Sequence, residues 1–87
     1  MPEITRFYGI VIKIFLNREH NPPHFHASYG EYDGVFNIKT GEMMYGDLPK
    51  HAQELIIEWA KDYKNEIQQM WDTKQLQKLP PLGRKKP

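Results

Sequence analysis

The sequence predicts an α+β domain: a four-stranded antiparallel sheet with one long C-terminal amphipathic helix packed on one face and the other face open. Three observations lead there. The first half of the 87-residue chain holds β-branched and aromatic runs separated by Gly and Pro. The second half carries Leu55, Ile56, Trp59, Tyr63, Ile67, Met70 and Trp71 at three- and four-residue steps, the stripe of an amphipathic helix. Between them, two runs alternate so that one side of each is apolar.

The elements follow in order. Tyr8 to Leu16 is β-branched and aromatic and reads as a well-buried first strand. The connection Asn17 to Pro23 is polar, and its adjacent Pro22 and Pro23 lack backbone donors, so no ladder runs through them. His24 to Tyr29 is the second strand. Gly30-Glu31 is a two-residue turn and Tyr32 to Lys39 the third strand. Thr40-Gly41 turns the chain again into a short fourth strand, Glu42 to Gly46. Asp47 is placed to cap the helix, with Pro49 in its first turn, where a missing N–H costs little. Glu58, Lys61, Asp62, Lys64, Asn65, Gln68 and Gln69 form its wet side. From Leu79 onward there is no periodicity, and the end is basic. The reading is therefore one domain over residues 1–78 and a flexible basic tail over 79–87.

Side chains alternate along a strand, so His24, His26 and Ser28 share one face and Phe25, Ala27 and Tyr29 the other. With the turn at Gly30-Glu31, Tyr29 opposes Tyr32, His26 opposes Val35 and His24 opposes Asn37. Phe25, Ala27, Tyr29, Tyr32, Phe36 and Ile38 then make one apolar face, to which the second turn adds Met43 and Tyr45. That face suits the helix stripe. The opposite face carries His24, His26, Ser28, Asp33, Asn37 and Lys39, with Val35 and Met44 among them. A one-residue slip would destroy this division.

Composition narrows the function classes. There are no cysteines, which excludes disulfides and thiolate zinc sites. A net charge of +1 gives the whole molecule no preference for a charged partner. No apolar run approaches the ~20 residues of a membrane span. The first residues lack the order of a signal peptide, so the expected location is cytoplasmic.

Three of the four histidines fall within residues 20–26, in the string His20-Asn21-Pro22-Pro23-His24-Phe25-His26-Ala27. Three chemistries fit them. In the first, His24 and His26 are acid and base in metal-free RNA cleavage, with His20 assisting and Arg6, Lys13 or Lys39 holding phosphate. In the second, His20, His24 and His26 ligate zinc and leave an open position, with Asp33 as the nearest carboxylate. In the third, the histidines are structural and the open face binds a partner or a second copy, giving a homodimer. His51, in the first helical turn, reads as solvated.

Arg6-Phe7-Tyr8-Gly9-Ile10, the His20 to Ala27 string, Tyr29-Gly30, Gly41-Glu42, Leu48-Pro49 and the segment Leu55 to Ala60 together resemble the small prokaryotic domain of unknown function family numbered 4160. The resemblance spans about residues 2–72. It implies a small bacterial or archaeal protein encoded beside a second small protein, in a two-gene module of toxin–antitoxin type. It assigns no catalytic residue. Joined to the open histidine face, it makes RNA or the cognate small protein the expected partner.

Overall fold

A computed structural model describes residues 3–16 and 22–83. The strands are β1 (Glu3–Phe7), β2 (Ile10–Lys13), β3 (His24–Tyr29), β4 (Tyr32–Asn37) and β5 (Met43–Gly46). The helices are α1 (Lys50–Asp62) and α2 (Lys64–Thr73). The strands form one antiparallel meander in the order β1-β2-β3-β4-β5. The α+β class and the two-layer arrangement are as expected, but the sheet has five strands rather than four.

The extra strand comes from a turn read as strand. Tyr8 and Gly9 both have positive φ, 50° and 81°, as the two central residues of a type I′ hairpin do. Such turns favour Asn-Gly. A tyrosine in the first position hides the turn inside an apparently continuous β run. Residues 3–7 thereby become β1, and the run ends as β2 at Lys13.

The central hairpin has the expected register: Tyr29 faces Tyr32, His26 faces Val35 and His24 faces Asn37. Phe25 and Phe36 stack at 5.3 Å on the core side. Tyr32, expected in the core, is exposed at the start of its strand. Past Asn37 the Ile38 N–H still donates to Pro23 O at 3.0 Å, and the chain then turns. The Asn37 carboxamide oxygen accepts the N–H groups of Lys39 and Thr40, and the Asn37 N–H donates to Glu42 O at 2.9 Å. A local side-chain turn therefore ends β4 two residues early. In β5, an irregularity between Val35 and Phe36 pairs Phe36 with Met43 and Val35 with Tyr45. This bulge turns Tyr45 away from the core side, to which strict alternation had assigned it.

The helix stripe packs as expected, with Ile56, Trp59, Ile67, Met70 and Trp71 buried. The Trp59 ring lies 5.9 Å from Phe25 and 6.0 Å from Phe7. The single long helix is corrected to two, with the break at Tyr63 (φ −118°, ψ 23°). The hydrogen bonds around it persist, Tyr63 N–H to Trp59 O and Ile67 N–H to Tyr63 O, so the segment bends rather than ends. A straight helix over residues 50–73 would be about 36 Å long. A six-residue strand spans only about 20 Å. The bend lets the second half of the stripe stay on the core instead of overrunning the sheet. Asp47 does not cap α1. Its carboxylate accepts the Asp33 N–H at 3.0 Å, and its own N–H donates to Asp33 O, tying off the end of β5.

Residues 79–83, expected to be flexible, belong to the domain. Leu79 and Leu82 are buried, the Leu79 N–H donates to Ile4 O at 3.2 Å, and the Trp59 indole N–H donates to Pro80 O at 2.9 Å. Two leucines three residues apart suffice to anchor a segment that two prolines keep out of a helix. The basic end at 84–87 lies outside the described residues.

Candidate functional site

β2 and β3 build the centre of the site. Ile10, Ile12 and Ile14 are fully buried on the core side, so Val11, Lys13 and Phe15 take the opposite side. Lys13 pairs with His26 and Val11 with Ser28 across β2–β3. From β4 come Asp33 and Val35, and from β5, through the bulge, Tyr45. Together with His26 and Ser28 these side chains border a concavity of about 300 Å³. Tyr45 is 66% exposed and Phe15 37%. Among the described residues, no helix lines the concavity, which lies on the open face the alternation predicts.

The two histidines sit side by side but differ in surroundings. Their ring centroids are 5.3 Å apart. His24 Nδ1–H donates to Pro22 O at 2.8 Å, an assignment that puts the proton on Nδ1. The other side of the His24 ring meets Trp71 at 5.1 Å. Trp71 is a core residue of α2, and Lys74 Nζ stands 4.7 Å from the centre of its ring. His26 packs edge-on against Phe15 at 4.7 Å, and its Nε2 is closed off from solvent. A continuous row of rings thus runs Phe15, His26, His24, Trp71. Only His26 of the pair lines the concavity. His20 lies outside the described residues.

The basic residues expected to hold phosphate do not converge. Arg6 forms a two-point ion pair with Glu3, both contacts 2.8 Å. The hydrogen bond to Arg6 holds the Glu3 carboxyl below its usual range, and the carboxylate in turn raises the guanidinium. Lys39 lies past the end of β4, on a groove shared with Lys61 and Lys64 of the helical layer. Lys13 alone borders the concavity, with Asp33 of opposite charge on the same hollow. For the zinc reading, no group of three His, Cys, Asp or Glu side chains able to hold an ion occurs among the described residues.

Sequence reasoning missed Phe15, Tyr45 and Trp71. Phe15 was legible, because the isoleucines at every second position fix which face it takes. Tyr45 depends on a bulge with no sequence signature. Trp71 meets His24 from α2, beyond the break at Tyr63, a contact between residues 47 positions apart that no local pattern signals.

Fold and site define a two-layer α+β domain: a meander sheet, helices on one face, and a concave, histidine-walled face opposite. The chain belongs to the family described as Domain of unknown function (DUF4160), whose model matches residues 9–72. No curated protein and no solved structure matches it. Among the described residues, no helix is long and apolar enough to cross a membrane.

Proposed function

We propose that this chain is the binding member of a toxin–antitoxin-like two-gene module, and that its open sheet face docks the second protein of the module. The observation that carries the reading is the concavity itself. Its charges, Lys13 and Asp33, are of opposite sign, and the exposed rings of Tyr45 and Phe15 stand at its border. Aromatic side chains around a partly apolar hollow are typical of protein-binding surfaces. A phosphate backbone needs convergent cations instead. Arg6 is already engaged by Glu3, and Lys39 lies on another groove. In this reading His24 and His26 stiffen the face through Pro22, Phe15 and Trp71.

The test is co-expression with the product of the neighbouring gene, followed by a binding isotherm. The expected result is a complex that Tyr45→Ala weakens by about tenfold or more, as loss of a central aromatic contact does. Ser28→Arg, which fills the hollow, abolishes it. A complex indifferent to both substitutions removes the sheet face from the proposal. Degradation of cellular RNA on expression, lost in a folded His24→Ala variant, would establish the nuclease reading in its place. Zinc retained by untagged protein and lost in His26→Ala would establish the metal reading.

A further inference from the structure

A second surface, on the helical side, carries charge that the sheet face does not use. Lys39, Lys61 and Lys64 surround a hollow of about 160 Å³ whose walls include Ile38, Ile57 and Ala60. Lys39 follows β4, Lys61 belongs to the last turn of α1, and Lys64 opens α2. Ile57, Lys61 and Lys64 recur at four- and three-residue steps and therefore share one side of the helical layer. The opposite wall is held in place by the Asn37 carboxamide, which binds the backbone N–H of Lys39 at 2.8 Å and of Thr40 at 3.1 Å.

No salt bridge among the described residues involves any of the three lysines. Glu42, Glu58 and Asp62 are near in sequence but do not line the hollow. Three like charges around one depression repel each other and attract an anion. Among the described residues no aromatic ring lines it, so they offer no stacking platform for a nucleic-acid base. Its apolar wall, with Ile57 partly exposed, suits an aliphatic side chain. Arg84, Lys85 and Lys86 carry the same charge as the three lysines, so the sequence offers no acidic complement there.

We infer that Lys39, Lys61 and Lys64 form a docking groove for an acidic peptide segment of a partner protein, in which carboxylates meet the lysines and an aliphatic residue covers Ile57. The groove is separate from the sheet face, so either can fail alone.

The probe is a fluorescein-labelled peptide of alternating glutamate and leucine, followed by anisotropy and by amide shifts of labelled full-length protein. The expected result is shift changes confined to residues 38–41 and 57–64. Affinity should fall with added salt and with glutamine replacing glutamate in the peptide. A Lys61→Gln, Lys64→Gln double variant should bind about tenfold more weakly, the scale of losing two partly solvated charge contacts. All three lysines are exposed, so the variants should keep the circular dichroism of the parent. Binding unchanged in the double variant, or shifts that map to the sheet face, would overturn the inference. So would displacement of the peptide by a single-stranded oligouridylate that binds these same residues more tightly.

Discussion

Arg6, a residue suited to holding phosphate, is held instead by the carboxylate three positions before it. Arg6 is exposed and Glu3 half-buried at the surface, so the pair contributes little to stability, but it sets the protonation of Glu3. The bond to Arg6 favours the charged carboxylate, and the pKa falls. A depressed carboxylate pKa means that the pair is intact above the ordinary carboxylate range and is lost as pH falls through the lowered value. In Arg6→Gln the Glu3 side chain should titrate at higher pH, back toward the ordinary range, while residues around His26 keep their shifts. A carboxyl carbon titration by NMR reads both. A Glu3 midpoint unchanged by the substitution would show that Arg6 is not engaged in solution, and would return it to the pool of phosphate-binding side chains. The histidines make the same point by geometry: His24 is pinned to Pro22 O and Trp71, and His26 to Phe15, so much of their chemistry is spent inside the fold.

At the scale of elements, β5 is the piece on which the site depends most. Gly46 has φ of 137°, and a Cβ there would come within 2.4 Å of Asp33 O and 2.5 Å of Gly34 Cα. Both are backbone atoms and cannot swing aside. Gly46→Ala should therefore push β5 off β4, costing about 2–4 kcal/mol, the range for backbone strain joined to a steric clash. Urea unfolding should give the lower midpoint. Hydrogen exchange should show faster loss of protection in β5 than in β2 or β3. Equal stability would mean that β5 is not seated as described. The element also shows what a sequence can and cannot reveal. The β3–β4 register was legible from alternation alone, because a slip would have buried His24 and His26 and exposed Phe25 and Phe36. The helix stripe was legible for the same reason, with a 3.6-residue period. Devices that break a period were not: a Tyr8-Gly9 turn without the usual residues, the bulge beside Tyr45, and a helix that bends with neither Pro nor Gly at its break. The candidate site inherits this division. His26, Ser28, Asp33 and Lys13 were found where period holds, whereas Tyr45 and the Trp71 contact lie where it fails.

For the molecule as a whole, the question is where the folded unit ends. The family model stops at residue 72, close to the end of α2 at Thr73, and periodicity gives no reason to continue past it. Yet the segment after α2 returns across the core. Leu79 and Leu82 are 9% and 8% exposed, Pro80 O accepts the Trp59 indole N–H, and Leu79 N–H bonds to Ile4 on the edge strand β1. Burying a leucine side chain stabilises by about 1.5–3 kcal/mol. A hydrogen bond satisfying a buried indole contributes about 1 kcal/mol. Together these amount to about 4–7 kcal/mol, before the entropy of ordering the segment reduces the sum. A domain this small has a total margin near the low end of about 5–15 kcal/mol. A chain ending at Lys78 should therefore be severely destabilised: it would expose Trp59 and the core beneath Leu79, and lose the covering of β1. A chain ending at Gly83 keeps both leucines and should match the full-length protein within about 0.5 kcal/mol, the usual scale for surface changes. Thermal and urea unfolding of the two truncations, read by Trp59 and Trp71 fluorescence, separate the cases. If the chain ending at Lys78 unfolds at the same midpoint as the full-length protein, the returning segment adds nothing and the domain closes with α2. If it unfolds far earlier, residues 79–83 are the last piece of the core, and the open sheet face owes its stability to a segment on the opposite side of the sheet.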